Sequence, residues 1–166
     1  MSIRPASDKD RGAIAAIHTE SWQKSYRGAL PDDLLDERLS KIMTDRWRNQ
    51  TISDRDVVIV AEDEDGAVVG FCATWVDDSG YIDNLHVRST HQSRGLGRTM
   101  LRETARRLLS NDVQRAYLHV VATNARARAL YLKLGGEPGA IEDKDLYGTI
   151  VPNQRIDWSD LSILAE

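Results

Sequence analysis

The densest chemistry in the chain lies between Tyr81 and Thr99. An apolar run ending at Val87 leads through a short polar loop into Gln92, Ser93, Arg94, Gly95, Leu96 and Gly97, and a helix pattern follows. The start of a helix leaves N–H groups without partners and carries partial positive charge. Glycines there remove side chains and let an anion approach the backbone, while Arg94 and Arg98 add charge. This is the chemistry of a pyrophosphate site. A P-loop would need Gly-Lys-Ser/Thr after four intervening residues, which the stretch lacks. A dinucleotide fingerprint would place Gly or Ala where Met100 stands. Two glycines before a helix also serve simple close packing, so the loop alone does not name a ligand.

The elements that must position this loop read as one pattern. Ile3 to Ala6 is a short strand, and Ser7 caps a helix running to about Tyr26. After a break at Arg27 to Pro31, Asp32 starts a second helix with Leu35, Leu39, Ile42 and Met43 on one face. Val57 to Ala61 and Val68 to Val76 are strands joined by the Asp65-Gly66 hairpin signal. Tyr81 to Val87 is the next strand, and Gly95 to Ser110 is an amphipathic helix with Arg98, Arg102 and Arg106 outward. Ala116 to Ala122 is a strand, and Ala125 to Leu134 is a helix stopped by Gly135 and Gly136. The remainder, including Ile150-Val151 and Arg155 to Trp158, reads as two antiparallel strands. A mixed α/β sheet covered by helices is expected, in a single domain over residues 1–166.

A second block resembles the loop in specificity. Asn124, Ala127, Leu130, Tyr131 and Gly135 follow the pattern Asn-x-x-Ala-x-x-Leu-Tyr-x-x-x-Gly, with Gly136 where an aromatic is usual. Together with Gln-x-x-Gly-x-Gly at Gln92 to Gly97, in this order and separation, the chain resembles the GNAT superfamily of acetyl-CoA-dependent N-acetyltransferases, bacterial type. The tracts from Trp22 to Pro31 and from Arg155 to Leu161 also resemble those of bacterial members, so the likeness covers nearly the whole chain. It implies a mostly antiparallel mixed sheet of six to seven strands, with a parallel splay between the fourth and fifth, and about four flanking helices.

The resemblance also implies site roles. Acetyl-CoA would lie in a V-shaped gap between Tyr81–Val87 and Ala116–Ala122. Its pantetheine would pair with the backbone around Leu85, His86 and Val87, and its pyrophosphate would sit on the segment Gln92, Ser93, Arg94, Gly95, Leu96, Gly97, Arg98 and Thr99. Asn124 would reach the pantetheine, although Asn is also a good helix cap. Tyr131, seven residues on and thus about two turns away on the same face, would be the general acid; a core aromatic is the plain alternative.

Attack on a thioester needs a neutral amine, and an alkylamine has a pKa near ~10.4, so a base or water relay must remove a proton. His119 stands where ribosomal-protein N-terminal acetyltransferases carry a glutamate base, and an imidazole near pKa ~6.5 suits the task. Asp83 is the rival. Strand alternation would put Tyr81, Asp83, Leu85 and Val87 on one face, with His86 opposite and structural. Trp22, Tyr26 and Trp75 would line the acceptor site, or simply pack in the core.

Charge is uneven. Residues 88–133 carry +8 and the rest of the chain −12, which points to an anionic ligand for the first and favours a small cationic amine for the second. A protein N-terminus is the alternative acceptor, and a non-catalytic acetyl-CoA sensor is the alternative class. His18, His86, His91 and Cys72 lack metal-ligand spacing, so no metal is expected. A lone Cys72 in an apolar run reads as core and fits a reducing cytoplasm. No nucleic-acid motif and no membrane-spanning run is present. The resemblance allows a homodimer.

Overall fold

The computed structural model describes residues 1–166. Its spine is a seven-stranded sheet formed by β1 (Ser2–Pro5), β2 (Val57–Glu62), β3 (Val68–Val76), β4 (Gly80–Val87), β5 (Ala116–Val121), β6 (Glu137–Leu146) and β7 (Thr149–Trp158), in the order β1-β2-β3-β4-β5-β7-β6. All neighbours are antiparallel except β4 and β5. The helices are α1 (Arg11–Ser25), α2 (Leu39–Asn49), α3 (Leu96–Ser110), α4 (Ala125–Lys133) and the short α5 (Ser162–Ala165).

The sheet separates two apolar clusters, as period-two strands buried on both faces must. One face packs Ile59, Cys72, Ile82, Met100, Leu101 and Leu108 beneath α3. The other packs Ile14, Ile17, Leu35, Met43, Trp47 and Phe71 beneath α1 and α2. The β-branched run at Val57 to Ala61 is buried throughout because its alternate residues feed both clusters.

Three local features depart from the sequence pattern. Ahead of α2, Leu34–Arg38 forms a π-helical turn in which the Leu39 N–H donates to the Leu34 carbonyl. Gln23 on α1 donates to the Leu35 carbonyl at 2.9 Å, so a side chain satisfies a backbone group within the wider turn. At the C-terminus, Ile150-Val151 and Arg155 to Trp158 belong to one strand, β7. Its hairpin partner β6 carries no apolar alternation because almost all of it is exposed. The short helix α5 lies against α3 and was not foreshadowed by any periodicity.

Gly136 replaces the usual aromatic for a packing reason. A Cβ there would stand 2.5 Å from Ile156 Cγ2, 2.9 Å from the Tyr131 carbonyl and 3.0 Å from the Trp158 ring. Trp158 fills this space from β7 and donates its indole N–H to the Leu134 carbonyl at 3.0 Å. The Gly136→Ala variant is therefore expected to lose about 1–3 kcal/mol by overpacking, read as a lowered melting midpoint. An unchanged midpoint would show that this end of α4 is looser than described.

Candidate active site

The functional geometry begins with a failure of strand pairing. β4 and β5 pair only at Gly80–Ala116 and Tyr81–Tyr117, and beyond them the strands part. The Tyr81 and Tyr117 rings stack at 5.0 Å over the point of divergence. On the other side, β5 keeps its full antiparallel register with β7 from Ala116 to Val121. The diverging strands leave backbone N–H and C=O groups of β4 facing a gap, free to pair with amides of a ligand. A cleft of about 340 Å³ fills this gap, walled by β4, β5, α1, α4 and the β6–β7 hairpin.

A β-bulge sets the side-chain directions. Ala73 pairs with Asn84 and Thr74 with Ile82, so Asp83 is an extra residue on β4. The alternation expected from the sequence fails at that residue. Tyr81, Asp83, Asn84 and His86 share the α1/α2 face, while Leu85 packs against the α3 cluster with Val87. His86 thus lies on the Asp83 face and not opposite it. Asp83 Oδ2 accepts from Trp75 Nε1 at 2.9 Å and from Arg46 Nη2 at 2.8 Å.

The cofactor-side residues gather as follows. Leu85, Val87, Gln92, Asn124 and Tyr131 line the cleft. Gln92 donates to the Val87 carbonyl at 3.1 Å. The Asn124 carboxamide accepts from the Ala127 N–H at 3.1 Å, so it caps α4 with its oxygen and keeps its NH₂ free. Ser93 and Gly95 adopt positive φ of 68° and 74°, curling the loop so that successive N–H groups point inward, an anion-binding shape. The first helical bond runs from Thr99 N–H to the Gly95 carbonyl, which leaves the N–H groups of Leu96, Gly97 and Arg98 without helical partners. A Cβ on Gly97 would touch only Leu85 at 3.9 Å, so packing does not demand glycine there and the backbone is open to close approach. The Leu96 side chain is buried in the core and the Thr99 hydroxyl bonds the Gly95 carbonyl, so only their backbone is on offer. Arg94 and Arg98 are exposed beside the loop, and Arg126 reaches Ser93 Oγ at 2.9 Å.

On the α1/α2 side, Trp22 and Tyr26 line the cleft with rings 4.7 Å apart. Trp75 does not line it; its ring lies against Trp47 and its N–H is committed to Asp83. His86 Nδ1 lies 2.7 Å from Ser21 Oγ, so its side chain is tied to α1. His18 Nδ1 accepts from Trp47 Nε1 at 3.0 Å, which places the His18 proton on Nε2. The two imidazoles lie 4.9 Å apart. Burial holds His86 down at about 4 and, with His86 and Arg46 nearby, His18 down at about 2.

His119 lines the cleft from β5, with a buried Nδ1 that has no partner. Burial first, then Lys144 and Arg155, keep it neutral below its ordinary pKa. Burial, reinforced by Cys72, pushes the Tyr131 phenol above its usual range, so it holds its proton at neutral pH. Arg46, Asn84 and Lys144 also line the cleft and were not picked out from the sequence. The signal for Asn84 was present, because two adjacent polar residues at Asp83-Asn84 break the period of an otherwise apolar strand.

The comparisons with known proteins agree with this geometry. The model of the acetyltransferase (GNAT) family matches residues 13–136. The chain is 27% identical, over 99% of its length and 96% of the relative's, to an uncharacterized N-acetyltransferase, YuaI, of Bacillus subtilis. The PaiA N-acetyltransferase of Thermoplasma acidophilum, solved with coenzyme A, shares the fold at a TM-score of 0.74 and 18% identity, over 92% of this chain and 96% of that one. The ribosomal-protein-S18-alanine N-acetyltransferase of Escherichia coli does so at 0.68 and 24%, over 94% and 91%.

The buried neutral histidines make stability depend on pH. Both have folded pKa values below the unfolded ~6.5, so their contribution is complete above about pH 6.5 and is lost as pH falls, toward about 4 for His86 and about 2 for His18. Each is expected to cost roughly 1 kcal/mol per pH unit across that window. Denaturant titrations at pH 7, 6 and 5 check this; a His86→Asn variant should flatten the slope, and an unaltered slope in that variant would contradict it.

Proposed function

The chain belongs to the acetyltransferase (GNAT) family, and from that premise we propose that it moves the acetyl group of acetyl-CoA directly onto a primary amine, in one catalytic domain. The observation that carries this reading is the divergence of β4 from β5 after two residue pairs, with Tyr131 and His119 both on the walls of the resulting cleft.

The curled loop from Ser93 to Arg98 would hold the pyrophosphate through free N–H groups, with Arg94, Arg98 and Arg126 adding charge. The open edge of β4 at Leu85 and Val87, with the free NH₂ of Asn124, would take the pantetheine amides. Acetyl-CoA supplies an activated thioester, so no acyl-enzyme is needed. His119, neutral and with an unpartnered ring nitrogen, would take the amine's proton directly or through water. Tyr131, protonated at neutral pH, would give a proton to the departing thiolate. Arg46 and Trp75 hold Asp83 Oδ2, the Tyr81 hydroxyl lies beside the same carboxylate, and Oδ1 would meet the incoming amine.

The acidic excess that favours a cationic acceptor does not reach this cleft. Asp32, Asp36, Asp77 and Asp78 are exposed elsewhere, and Asp83 is the one carboxylate on its walls. A protein N-terminus is the second reading, since the E. coli S18-alanine enzyme has the same fold over most of both chains and Asp83 Oδ1 suits an α-amine as well as an alkyl one.

Acetyl-CoA at about 100 times its dissociation constant should add roughly 2.7 kcal/mol to stability and raise the melting midpoint, while NAD and ATP should not. Binding without thiol release from any amine would convert the reading to a cofactor sensor. With an active amine found, Tyr131→Phe should lower kcat by about 10²-fold or more with the fold intact. His119→Ala should remove the acidic limb of the pH–rate profile, which the depressed pKa places below ~6.5. A full-rate Tyr131→Phe, or an acidic limb that survives in His119→Ala, would each overturn the role concerned.

A further inference from the structure

The acceptor half of the cleft has more unused hydrogen-bond donors than acceptors. Asn84 is 4% exposed, lines the cleft, and its Nδ2 has no partner. Leaving a buried amide N–H unpaired costs as much as losing a hydrogen bond outright, so a site that keeps one is built for a ligand oxygen. Lys144, on the β6 wall, makes no salt bridge or hydrogen bond. Glu142 and Asp83 act on it only at a distance, and burial disfavours its charge. Arg46 spends one terminal nitrogen on Asp83 and keeps its other N–H groups free. Against these stand the Asp83 carboxylate, already beside Arg46, Trp75 and Tyr81, and the His119 ring, whose Nδ1 is buried and unpartnered.

Two cations and one already-paired carboxylate make a poor receptor for a molecule with a second ammonium group. They suit a molecule that brings a negative charge with its amine. Building on the acetyl-transfer reading above, we propose that the acceptor carries a carboxylate close to its amine, as an α-amino acid does. Asn84 Nδ2, Lys144 and the free side of Arg46 receive the carboxylate, and Asp83 and His119 face the nitrogen. The paired rings of Trp22 and Tyr26 offer an apolar wall for the rest of the molecule. In the transfer, the amine nitrogen bonds to the acetyl carbon, the carbon–sulfur bond breaks, and the amine's proton leaves to the base as the thiolate gains one. The carboxylate takes no part beyond positioning.

The test uses matched acceptors that differ only in the carboxylate: leucine, leucinamide and 3-methylbutylamine, and likewise phenylalanine, phenylalaninamide and 2-phenylethylamine. Thiol release from acetyl-CoA is followed with the wild-type chain and with Lys144→Met and Asn84→Leu, each checked for a cooperative melt. A charge-assisted hydrogen bond is worth roughly 10- to 100-fold, so the free amino acids should exceed their amides and amines by that factor in kcat/KM. Lys144→Met should collapse the preference. Asn84→Leu should reduce it while leaving the ligand-free protein as stable as wild type or more so, because an unpaired buried donor has been removed. A destabilised Asn84→Leu would assign the side chain a structural role and remove it from the proposal. Amides or amines that react as well as the amino acids would overturn the proposal and leave acetyl transfer standing. Silence of all six acceptors, with a melting shift on adding acetyl-CoA, would reject this acceptor class alone; silence with no such shift would reject the transfer reading as well.

Discussion

Everything at the site depends on β4 and β5 pairing at two positions and then ceasing to pair. A parallel ladder carried to its end would have sealed the backbone groups of both strands and left no gap. The bulge at Asp83 lies just past the last paired residue, where an extra residue turns the chain and spoils the register. Arg46 and Trp75 then hold the Asp83 carboxylate toward α2, so the bulge is pinned from two elements. The same displacement puts Asn84 and His86 on the α1/α2 face and Leu85 and Val87 on the α3 face. One inserted residue thereby reverses the facing of every residue on the strand beyond it.

Around that division the protein uses histidine as a packing element. His18 and His86 are neutral, buried and mutually close, and each is fixed by a neighbour from another element, Trp47 and Ser21 respectively. These contacts tie α1, α2 and β4 together along one wall of the cleft. His119, on the opposite wall, differs in having no partner for its buried nitrogen.

Much of this was legible in the sequence. The glycine loop, the strand before it and the Asn124–Tyr131 helix pointed to the fold, because each is a local pattern with a local cause. Strand limits at β3 came out as observed, since β-branched residues bounded by turn residues leave little choice. The acceptor side was harder. Lys144 sits in an exposed strand of mixed charge, and nothing local marks it as facing a cleft built largely by other elements. Arg46 is one of two arginines on α2, and its importance comes from Asp83, 37 residues away. The bulge defeated simple alternation for the same reason: it is settled by pairing with β3, which a single strand does not record.

The sheet's far edge deserves a different kind of reading. β6 is ten residues long and exposed along nearly all of them, the open border at which sheets in general grow from one molecule to the next. Here Pro138 interrupts its donors, and a register shift follows at Ile141. Four consecutive charged residues, Glu142 to Asp145, then occupy the stretch nearest the turn. Asp143 and Asp145 share one face by alternation, so a second copy laid along this edge would meet like charge. The hairpin that lends Lys144 to the cleft thus also presents an edge poorly suited to strand addition.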